Sequence, residues 1–373
     1  MQFSGDFTNS VTRLYGKIEK LLKEERKPSE KKKISKDVKK AVLELYFEMG
    51  HFLNTYEIVD ENYCVYATYD ESDNFYVKLF CVNPRKNLYE CMETARSSIL
   101  FSATLLPVQY YKNLLAGDND DYEVYARSVF NPEKRGLFIS TDVTSKYTRR
   151  SASEYEKIAA YIHEIISAKC GNYMVFFPSY KFMESVYSSY EVMYGAEENV
   201  EKIVQSSGMR EEERESFLSR FNRSLPADSD DFFEGIDADI EVEEDITLIG
   251  FCVMGGIFSE GIDLRAESLI GAIIVGTGLP QVCLEREIMK NTFDSEDEDG
   301  FEYAYRYPGM NKVLQAAGRV IRTEEDIGIV VLLDERFAQR AYINMFPREW
   351  ENYEKININN AADKVSKFWD EWR

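Results

Sequence analysis

Three polar side chains recur at regular intervals in the apolar segment 311–323, NKVLQAAGRVIRT. On a helix, Gln315 and Arg319 are i,i+4 neighbours and Arg319 and Arg322 are i,i+3 neighbours, so their head groups can converge on one spot. Two guanidinium groups aimed together suit a polyphosphate, because each offers a rigid fork of donors that cannot lose its charge. The segment therefore predicts a phosphoryl-transfer site that uses arginine fingers.

The frame that must position these groups is predicted from about residue 135 onward, where strand-like and helix-like patterns alternate. Several strand-like segments are almost continuous apolar runs, such as Gly328–Leu333, and these are typical of a parallel sheet buried by helices on both faces. Ligands of such sheets bind at the carboxyl ends of the strands. The predicted strands are 136–141, 172–177, 199–204, 246–253, 270–276 and 328–333, and the predicted helices are 151–168, 180–190, 210–222, 281–292, 309–323 and 335–345.

The segments outside this alternation follow other patterns. Apolar residues at steps of three and four predict two helices before about residue 54, broken near Pro28 and folded as an antiparallel hairpin. Alternating residues in Tyr63–Tyr69 and 75–82 predict a β-hairpin. Residues 98–104 predict a buried strand that runs into a polar loop, and 351–373 predict a helical tail.

The net charge of −21 argues against a nucleic-acid partner until its distribution is considered. Residues 228–245 contain ten acidic residues and no basic one, and residues 294–302 contain six more. These two runs leave a charge of only −5 for the rest of the chain. We interpret them as solvated loops, and the alternative is that they mimic nucleic acid or keep it away from one face.

Cysteine and histidine content limits the metal and redox chemistry. The six cysteines are scattered without a C-x-x-C pair, and there are only two histidines. We therefore expect reduced thiols, no zinc site or iron–sulfur cluster in this chain, and no histidine-based triad. No apolar run approaches about 18 residues, and the start of the chain lacks the basic and apolar regions of a secretory signal. These features predict a cytoplasmic protein without a membrane partner.

Two loops after predicted strands and one predicted helix stand in an order that a nucleic-acid motor needs. The loops are SATL at 102–105 and GGIFSEGIDL at 255–264, and the helix contains QAAGRVIR at 315–322. Together they resemble motifs III, V and VI of the XPD/DinG family of superfamily-two DNA helicases. FFPSY at 176–180 resembles motif IV, and 326–337 resembles the strand that follows motif VI. The resemblance covers about residues 60–350, and motif V with motif VI at this spacing is its most specific part.

The resemblance implies an α/β fold, with a RecA-like parallel sheet flanked by helices and preceded by a helical hairpin and a β-hairpin. Residues 1–58 would end an arch-like helical insertion, and 59–106 would be return strands of a first motor domain that carry motif III. Residues 107–373 would form the second motor domain, with an acidic insertion at 228–245. The implied activity is that of an ATP-dependent, 5′ to 3′ DNA helicase of repair or replication.

By the same resemblance, Arg319 and Arg322 would reach the γ-phosphate of ATP, while Gln315 would position the attacking water or sense the phosphate. The plainer alternative is that all three are surface salt-bridge partners of the acidic residues 324–326.

Motif V would line the ribose and nucleotide side of the cleft through Glu260, Gly261 and Asp263, although the two acidic residues can instead cap the following turn. Motif III would couple nucleotide and nucleic acid through Ser102 and Thr104, although these can instead be turn formers at the end of a strand.

Contacts to the phosphate backbone of single-stranded DNA would come from Ser259 and from Pro178, Ser179 and Tyr180 of motif IV. Hydroxyl groups and exposed N–H groups position nucleic acid in this way without reading its sequence. The motif IV loop can instead be an ordinary helix start. Residues 256–258 read Gly-Ile-Phe where relatives often have a basic residue, a departure that would weaken one nucleic-acid contact.

Two parts of the family pattern are missing from the sequence, namely a G-x-x-x-x-G-K-[ST] loop and an acidic magnesium box. We therefore expect a C-terminal portion that binds ATP and Mg²⁺ only with a missing N-terminal motor domain and is inactive alone. Residues 60–106 would then pack on the second domain, self-associate, or leave an apolar edge exposed. The alternative function is a non-catalytic interaction module that retains the motor fold.

Overall fold

The computed structural model describes residues 5–25, 35–70, 72–221, 246–256, 258 and 269–372. The predicted acidic insertion 228–245 and the motif V residues Ser259, Glu260, Gly261 and Asp263 lie outside the described residues. The chain divides into two compact units. The first comprises 1–100, 111–121 and 283–300, and the second comprises 101–110, 122–282 and 301–373. None of the described helices is both long and apolar enough to cross a bilayer.

Two long helices begin the first unit, α1 at Gly5–Glu25 and α2 at Lys36–Glu57. Tyr15 stacks on Tyr46 with ring centroids 4.5 Å apart, and Phe7 meets Phe52 at 5.9 Å. These pairs run in opposite directions along the two helices, so the predicted antiparallel helical hairpin is present. Ser35 is the N-cap of helix α2, and its hydroxyl accepts the N–H of Val38 at 3.3 Å.

The predicted β-hairpin is confirmed as strands β1 (Tyr63–Tyr69) and β2 (Phe75–Cys81), which pair antiparallel. Asp70 organises the turn, because its carboxylate accepts the N–H groups of Ser72 and Asn74 at 2.8 Å each. Helices α3 (Arg85–Glu93) and α8 (Leu284–Ser295) belong to the same unit, and α4 spans Val108–Leu114.

The predicted buried strand at 98–104 is wrong. This segment forms no strand in the structure, and the side chains of Ile99 and Phe101 are 84% and 89% exposed. An apolar run becomes a strand only when a neighbour pairs with its backbone, and none of the described strands pairs with this one. The predicted return strands within 59–106 are therefore limited to the hairpin β1–β2.

Seven parallel strands form the sheet of the second unit, in the order β5-β6-β4-β7-β8-β3-β9. Six of them match predicted strands. The seventh, β9, lies in the predicted helical tail, where Tyr353 pairs with Leu137 of β3, so that prediction is wrong for the first part of the tail. The strands are β3 (Arg135–Ser140), β4 (Asn172–Phe177), β5 (Val200–Val204), β6 (Thr247–Val253), β7 (Gly271–Val275), β8 (Gly328–Leu333) and β9 (Tyr353–Ile356).

Helices cover both faces of this sheet, as its apolar strands predict. In β4, Val175 and Phe177 point into one hydrophobic cluster and Met174 and Phe176 into the other, because successive side chains of a strand alternate between faces. Helices α5 (Ala152–Ile166), α6 (Tyr180–Tyr194) and α11 (Ala361–Glu371) cover the first face, and α7 (Glu211–Phe221) and α9 (Tyr307–Ala317) cover the second. The short helix α10 spans Arg340–Ile343.

Candidate functional site

The carboxyl ends of the parallel strands bring five loops to one edge of the second unit's sheet. They are 141–150 after β3, 178–180 after β4, 254–256 after β6, 276–278 after β7 and 334–336 after β8. The predicted motif IV loop and the start of the motif V loop are among them. This edge is where ligands of parallel α/β sheets bind.

The motif IV loop is both a helix start and an anchored part of this edge. Ser179 is the N-cap of α6, and its hydroxyl accepts the N–H of Phe182 at 3.4 Å. The Tyr180 hydroxyl accepts a hydrogen bond from the Gln205 side chain at 2.9 Å, and burial raises the pKa of Tyr180. Pro178, Ser179 and Tyr180 are all half-buried. The plainer alternative, an ordinary helix start, accounts for the bond at Ser179 but not for the one at Tyr180.

Gln205 joins motif IV to the strand that leads into motif V. Its side-chain nitrogen donates to Tyr180, and its side-chain oxygen accepts the backbone N–H of Val253 at 2.8 Å. Its own backbone N–H donates to the carbonyl of Phe251. Sequence reasoning missed this residue, because a single glutamine after a strand carries no signal. A buried amide with both ends bonded holds its neighbours in one arrangement.

The motif V loop is described only at its beginning. Met254 donates its backbone N–H to the carbonyl of Phe177 at 2.8 Å, which ties the start of this loop to the end of β4. A Cβ at Gly255 would lie 3.0 Å from Lys312 Cε of α9, so a lysine of the motif VI helix approaches the motif V glycines. Sequence reasoning missed Lys312. Phe258 is fully buried against Phe217.

Helix α9 runs from the carboxyl edge of the sheet to its amino edge. Near its start, Gly309 packs so closely on the backbone after β7 that a Cβ would lie 2.8 Å from the carbonyl oxygen of Thr277. Just past its end, Val320 packs against Gly328, the first residue of β8. A helix that connects two parallel strands must run back in this way.

The three motif VI side chains therefore lie toward the amino edge, and not with the loops of motifs IV and V. Gln315 is in the last turn of α9, whereas Arg319 and Arg322 follow the C-cap Gly318. All three are half-buried. The predicted helical spacing between the arginines is wrong, because the helix ends at Ala317 instead of continuing to residue 323. Glycine has a low helix propensity, which favours an end at this position.

Asp326 shapes the turn that carries Arg322. Its carboxylate accepts the backbone N–H groups of Arg322 at 2.7 Å and Thr323 at 2.8 Å, and it also accepts the Thr323 hydroxyl. Lys134, just before β3, donates to the Glu324 carbonyl at 2.7 Å and pairs with Glu325 at 3.7 Å. Two of the acidic residues proposed as salt-bridge partners of the arginines thus have these other contacts.

A buried ion pair holds two loops of the carboxyl edge together. Asp334 is fully buried, and both its oxygens accept hydrogen bonds from the Arg336 guanidinium at 2.8 Å. One of these oxygens also accepts the N–H and hydroxyl of Ser145 at 2.8 and 2.9 Å. Burial raises the pKa of Asp334, but the hydrogen bonds and charge of Arg336 outweigh it and leave the pKa below its usual value.

Gly276 lies between Ser145 of the buried ion-pair network and Pro178 of the motif IV loop. Its φ of 84° lies in the left-handed region that favours glycine. Any Cβ here would collide with the side chain of Ser145 and would also come within 3.8 Å of Pro178. The absence of a side chain at this position therefore lets the loops after β3 and β4 approach each other.

The helicase C-terminal domain family matches residues 162–353, which is about half of the chain and includes motifs IV, V and VI. The chain belongs to this family. It is 29% identical over 278 residues to the ATP-dependent DNA helicase XPD of Sulfolobus acidocaldarius, a match that covers 70% of this chain and 43% of that protein. It is 24% identical over 351 residues to a probable ATP-dependent helicase of Methanocaldococcus jannaschii, covering 90% of this chain and 48% of that protein.

The fold of an XPD helicase is also similar to that of this chain. One such solved structure superposes with a TM-score of 0.57 at 22% identity, over 94% of this chain and 62% of the other. The predicted resemblance to XPD-type helicases and the predicted α/β fold are therefore confirmed. This helicase C-terminal domain chain spans about half the length of the curated relatives it matches.

Motif III of this helicase chain has the structure of a polar turn. The Ser102 hydroxyl accepts the backbone N–H of Thr104 at 3.3 Å and lies 3.4 Å from its hydroxyl. Ser102 is exposed and Thr104 is half-buried. These contacts agree with the turn-forming alternative, and the coupling role stays a prediction.

Within the part of the chain that the structure describes, no three His, Cys, Asp or Glu side chains are placed to share a metal ion. The residues predicted to line the nucleotide, Glu260, Gly261 and Asp263, fall outside that part. Their roles stay predictions.

Proposed function

We propose that this chain is the C-terminal portion of an ATP-dependent DNA helicase of XPD type, including its second motor domain, and that it acts in DNA repair or replication. The observation that carries the proposal is the path of α9, which starts against the motif IV and V edge and ends at the motif VI arginines. The relatives whose names include ATP-dependent DNA helicase support the choice of substrates.

The nucleotide would bind near the C-terminal end of α9, beside the motif VI arginines. Arg319 and Arg322 would bind the γ-phosphate of ATP, and Gln315 would position the attacking water or sense the phosphate. Asp326 supports this role, because its carboxylate fixes the backbone of the turn that carries Arg322. Glu260, Gly261 and Asp263 would line the ribose side of the same cleft.

Single-stranded DNA would follow the carboxyl edge of the sheet. Pro178, Ser179 and Tyr180 would contact its phosphate backbone together with Ser259, and none of these groups needs to read the sequence. Helix α9 has 11 residues, so it is about 16 Å long and spans the distance between the two ligands as a rigid rod. Closure of the cleft on ATP would therefore shift the DNA contacts at the carboxyl edge of the sheet.

A partner domain is needed for chemistry, because this sequence has neither a phosphate-binding loop nor a magnesium box. We propose that a first motor domain, in the same or another polypeptide, supplies both, and that this chain alone neither hydrolyses ATP nor unwinds DNA. Ser102 and Thr104 would couple nucleotide and nucleic acid. The exposed rings of Tyr69 and Phe75 on the hairpin support contact with that domain or with a second copy.

The test compares the chain alone with the chain fused to a first motor domain that carries both missing motifs. We expect background ATP hydrolysis from the chain alone and DNA-stimulated hydrolysis from the fusion. In the fusion, Arg322→Ala and Arg319→Ala should each lower kcat by about 10³-fold or more, as expected for arginine fingers.

Arg322→Lys should not restore the rate, because lysine keeps the charge but loses the bidentate fork. The matched control is Arg340→Ala, which removes an exposed arginine of α10 and should leave the rate unchanged. Hydrolysis by the chain alone that is abolished by Arg322→Ala would contradict the proposal.

A further inference from the structure

A second group of polar side chains lies at the carboxyl edge, outside every motif described above. It is the turn of residues 145–150, SKYTRR, which follows β3 and is called the basic turn below. Tyr147 is 83% exposed. The side chains of Lys146 and Arg149 are 38% and 49% exposed.

The basic turn is rigidly built. Its first residue, Ser145, is held by the buried Asp334 through both its N–H and its hydroxyl. The Arg149 N–H donates to the Lys146 carbonyl at 3.0 Å, and Arg150 Nε donates to the Ser145 carbonyl at 3.3 Å. The Tyr147 ring is therefore presented to solvent on a fixed base.

The basic turn is continuous with the motif IV loop. The Arg150 guanidinium lies 5.3 Å from the centroid of the Tyr147 ring and 4.6 Å from that of Phe182, in the first turn of α6. Gly276 lies between Ser145 and Pro178. A strand that touches Pro178 and Ser179 would therefore have the basic turn beside it.

Charge and composition of the basic turn fit nucleic acid better than protein. Lys146 and Arg149 both pair with Glu335 at 3.1 Å, so with Arg150 the group has three cations against one anion. This excess stands out in a chain of net charge −21. The turn has no aliphatic residue, whereas the centres of protein interfaces are apolar and depleted in lysine.

We propose that the basic turn is a second contact for single-stranded DNA, in which one base stacks on Tyr147 while Lys146 and Arg149 bind the adjacent phosphates. Sequence-tolerant single-strand sites combine cations with aromatic platforms in this way. The inference rests on the proposed function and extends its nucleic-acid site from motif IV to the loop after β3.

The test measures binding of a fluorescent oligo-dT strand, and of the same strand with abasic sites, to the 373-residue chain. Tyr147→Ala should weaken oligo-dT binding about tenfold and remove the preference over the abasic strand, because it removes stacking but no charge. Tyr147→Phe should retain both. Arg149→Ala should reduce the magnitude of the negative slope of log K against log salt concentration by about 0.7, whereas Tyr147→Ala should leave this slope unchanged.

The matched controls are a fully exposed tyrosine, Tyr122→Ala, and an exposed lysine of α11, Lys367→Ala; neither should change binding. Tyr147→Ala binding both strands like the wild type would overturn the inference and leave the proposed function standing. Wild-type chain that binds neither strand would overturn both. Tyr147→Ala that instead weakens binding of the first motor domain would assign the basic turn to a protein contact and overturn the inference.

Discussion

The two units of the chain use apolar residues with opposite results. In the second unit, every residue of β4, β6, β7 and β8 is buried. In the first unit, the 22-residue helix α2 buries only Met49, and neither strand of the hairpin contains a buried residue.

The difference lies in closure and not in composition. A seven-stranded sheet with helices on both faces encloses the side chains of its central strands, whereas a two-stranded ribbon encloses none. Apolar side chains should therefore carry most of their stabilising effect in the second unit. In the first unit they should contribute little until something covers them. The following predictions test this contrast, from the largest expected effect to the smallest.

Phe251→Ala should lower the free energy of unfolding of the second unit by about 4 kcal/mol, because it leaves a cavity among the rings of Phe177, Tyr187 and Tyr190. The matched change in the first unit, Phe75→Ala, should cost less than about 1 kcal/mol, since this ring is exposed. Urea unfolding followed by circular dichroism measures both. Equal losses would refute the contrast.

Asp334→Asn should cost the second unit about 3 kcal/mol, because Arg336 then keeps its buried charge without a counterion. The pKa of Asp334 is lowered in the folded state, so its stabilising effect is complete above the usual value of 3.8 and is lost as the pH falls through the lower folded value. The difference in stability between the wild type and Asp334→Asn should therefore shrink as the pH falls. A double-mutant cycle with Arg336→Ala measures the coupling energy between Asp334 and Arg336. A coupling energy near zero would show that this ion pair does not stabilise the second unit.

Gln205→Leu should cost about 2 kcal/mol, because the buried N–H of Val253 loses its acceptor. Tyr180→Phe removes only one bond of the same network and should cost about 1 kcal/mol. The exposed residue Gln109 offers the control Gln109→Leu, which should be nearly neutral. Unfolding curves that are identical for the three variants would show that the network does not stabilise this edge.

Loss of the Glu285 carboxylate, which lies in the first unit, should have the smallest effect on stability. Hydrogen bonds from Lys78 and Tyr66 lower its pKa to about 2. Because the folded pKa lies below the usual 4.5, the stabilising effect is present above 4.5 and is lost as the pH falls toward 2. The partners are partly exposed, so Glu285→Gln should cost less than about 1 kcal/mol at neutral pH. An NMR titration that gave the Glu285 carboxyl a pKa near the usual 4.5 would refute the hydrogen bonds from Lys78 and Tyr66.

Regular elements with long patterns were predictable from the sequence. Six of the seven strands of the sheet, and both strands of the β-hairpin, fall within a residue or two of their predicted bounds. Their patterns are local, because a buried parallel strand must be apolar throughout and a half-exposed strand must alternate. The resemblance to a helicase was likewise readable from residue types and spacing, and the family match over residues 162–353 confirms it.

Segments whose structure depends on a distant partner were not predictable. Residues 98–104 have the composition of a strand but no described strand pairs with them, whereas Tyr353–Ile356 read as helix and become β9 by pairing with β3. Gln205 gains its place only because Tyr180, the first residue of α6, and Val253, the last residue of β6, both bond to its side chain.

The sequence by itself determined that two arginines and a glutamine belong to one short segment beside a parallel sheet. Only the tertiary structure decided that α9 ends at Ala317 and points this segment toward the amino edge, opposite the motif IV loop. The physical reason is directional: a helix joining two parallel strands must run against them, so its two ends reach opposite edges of the sheet.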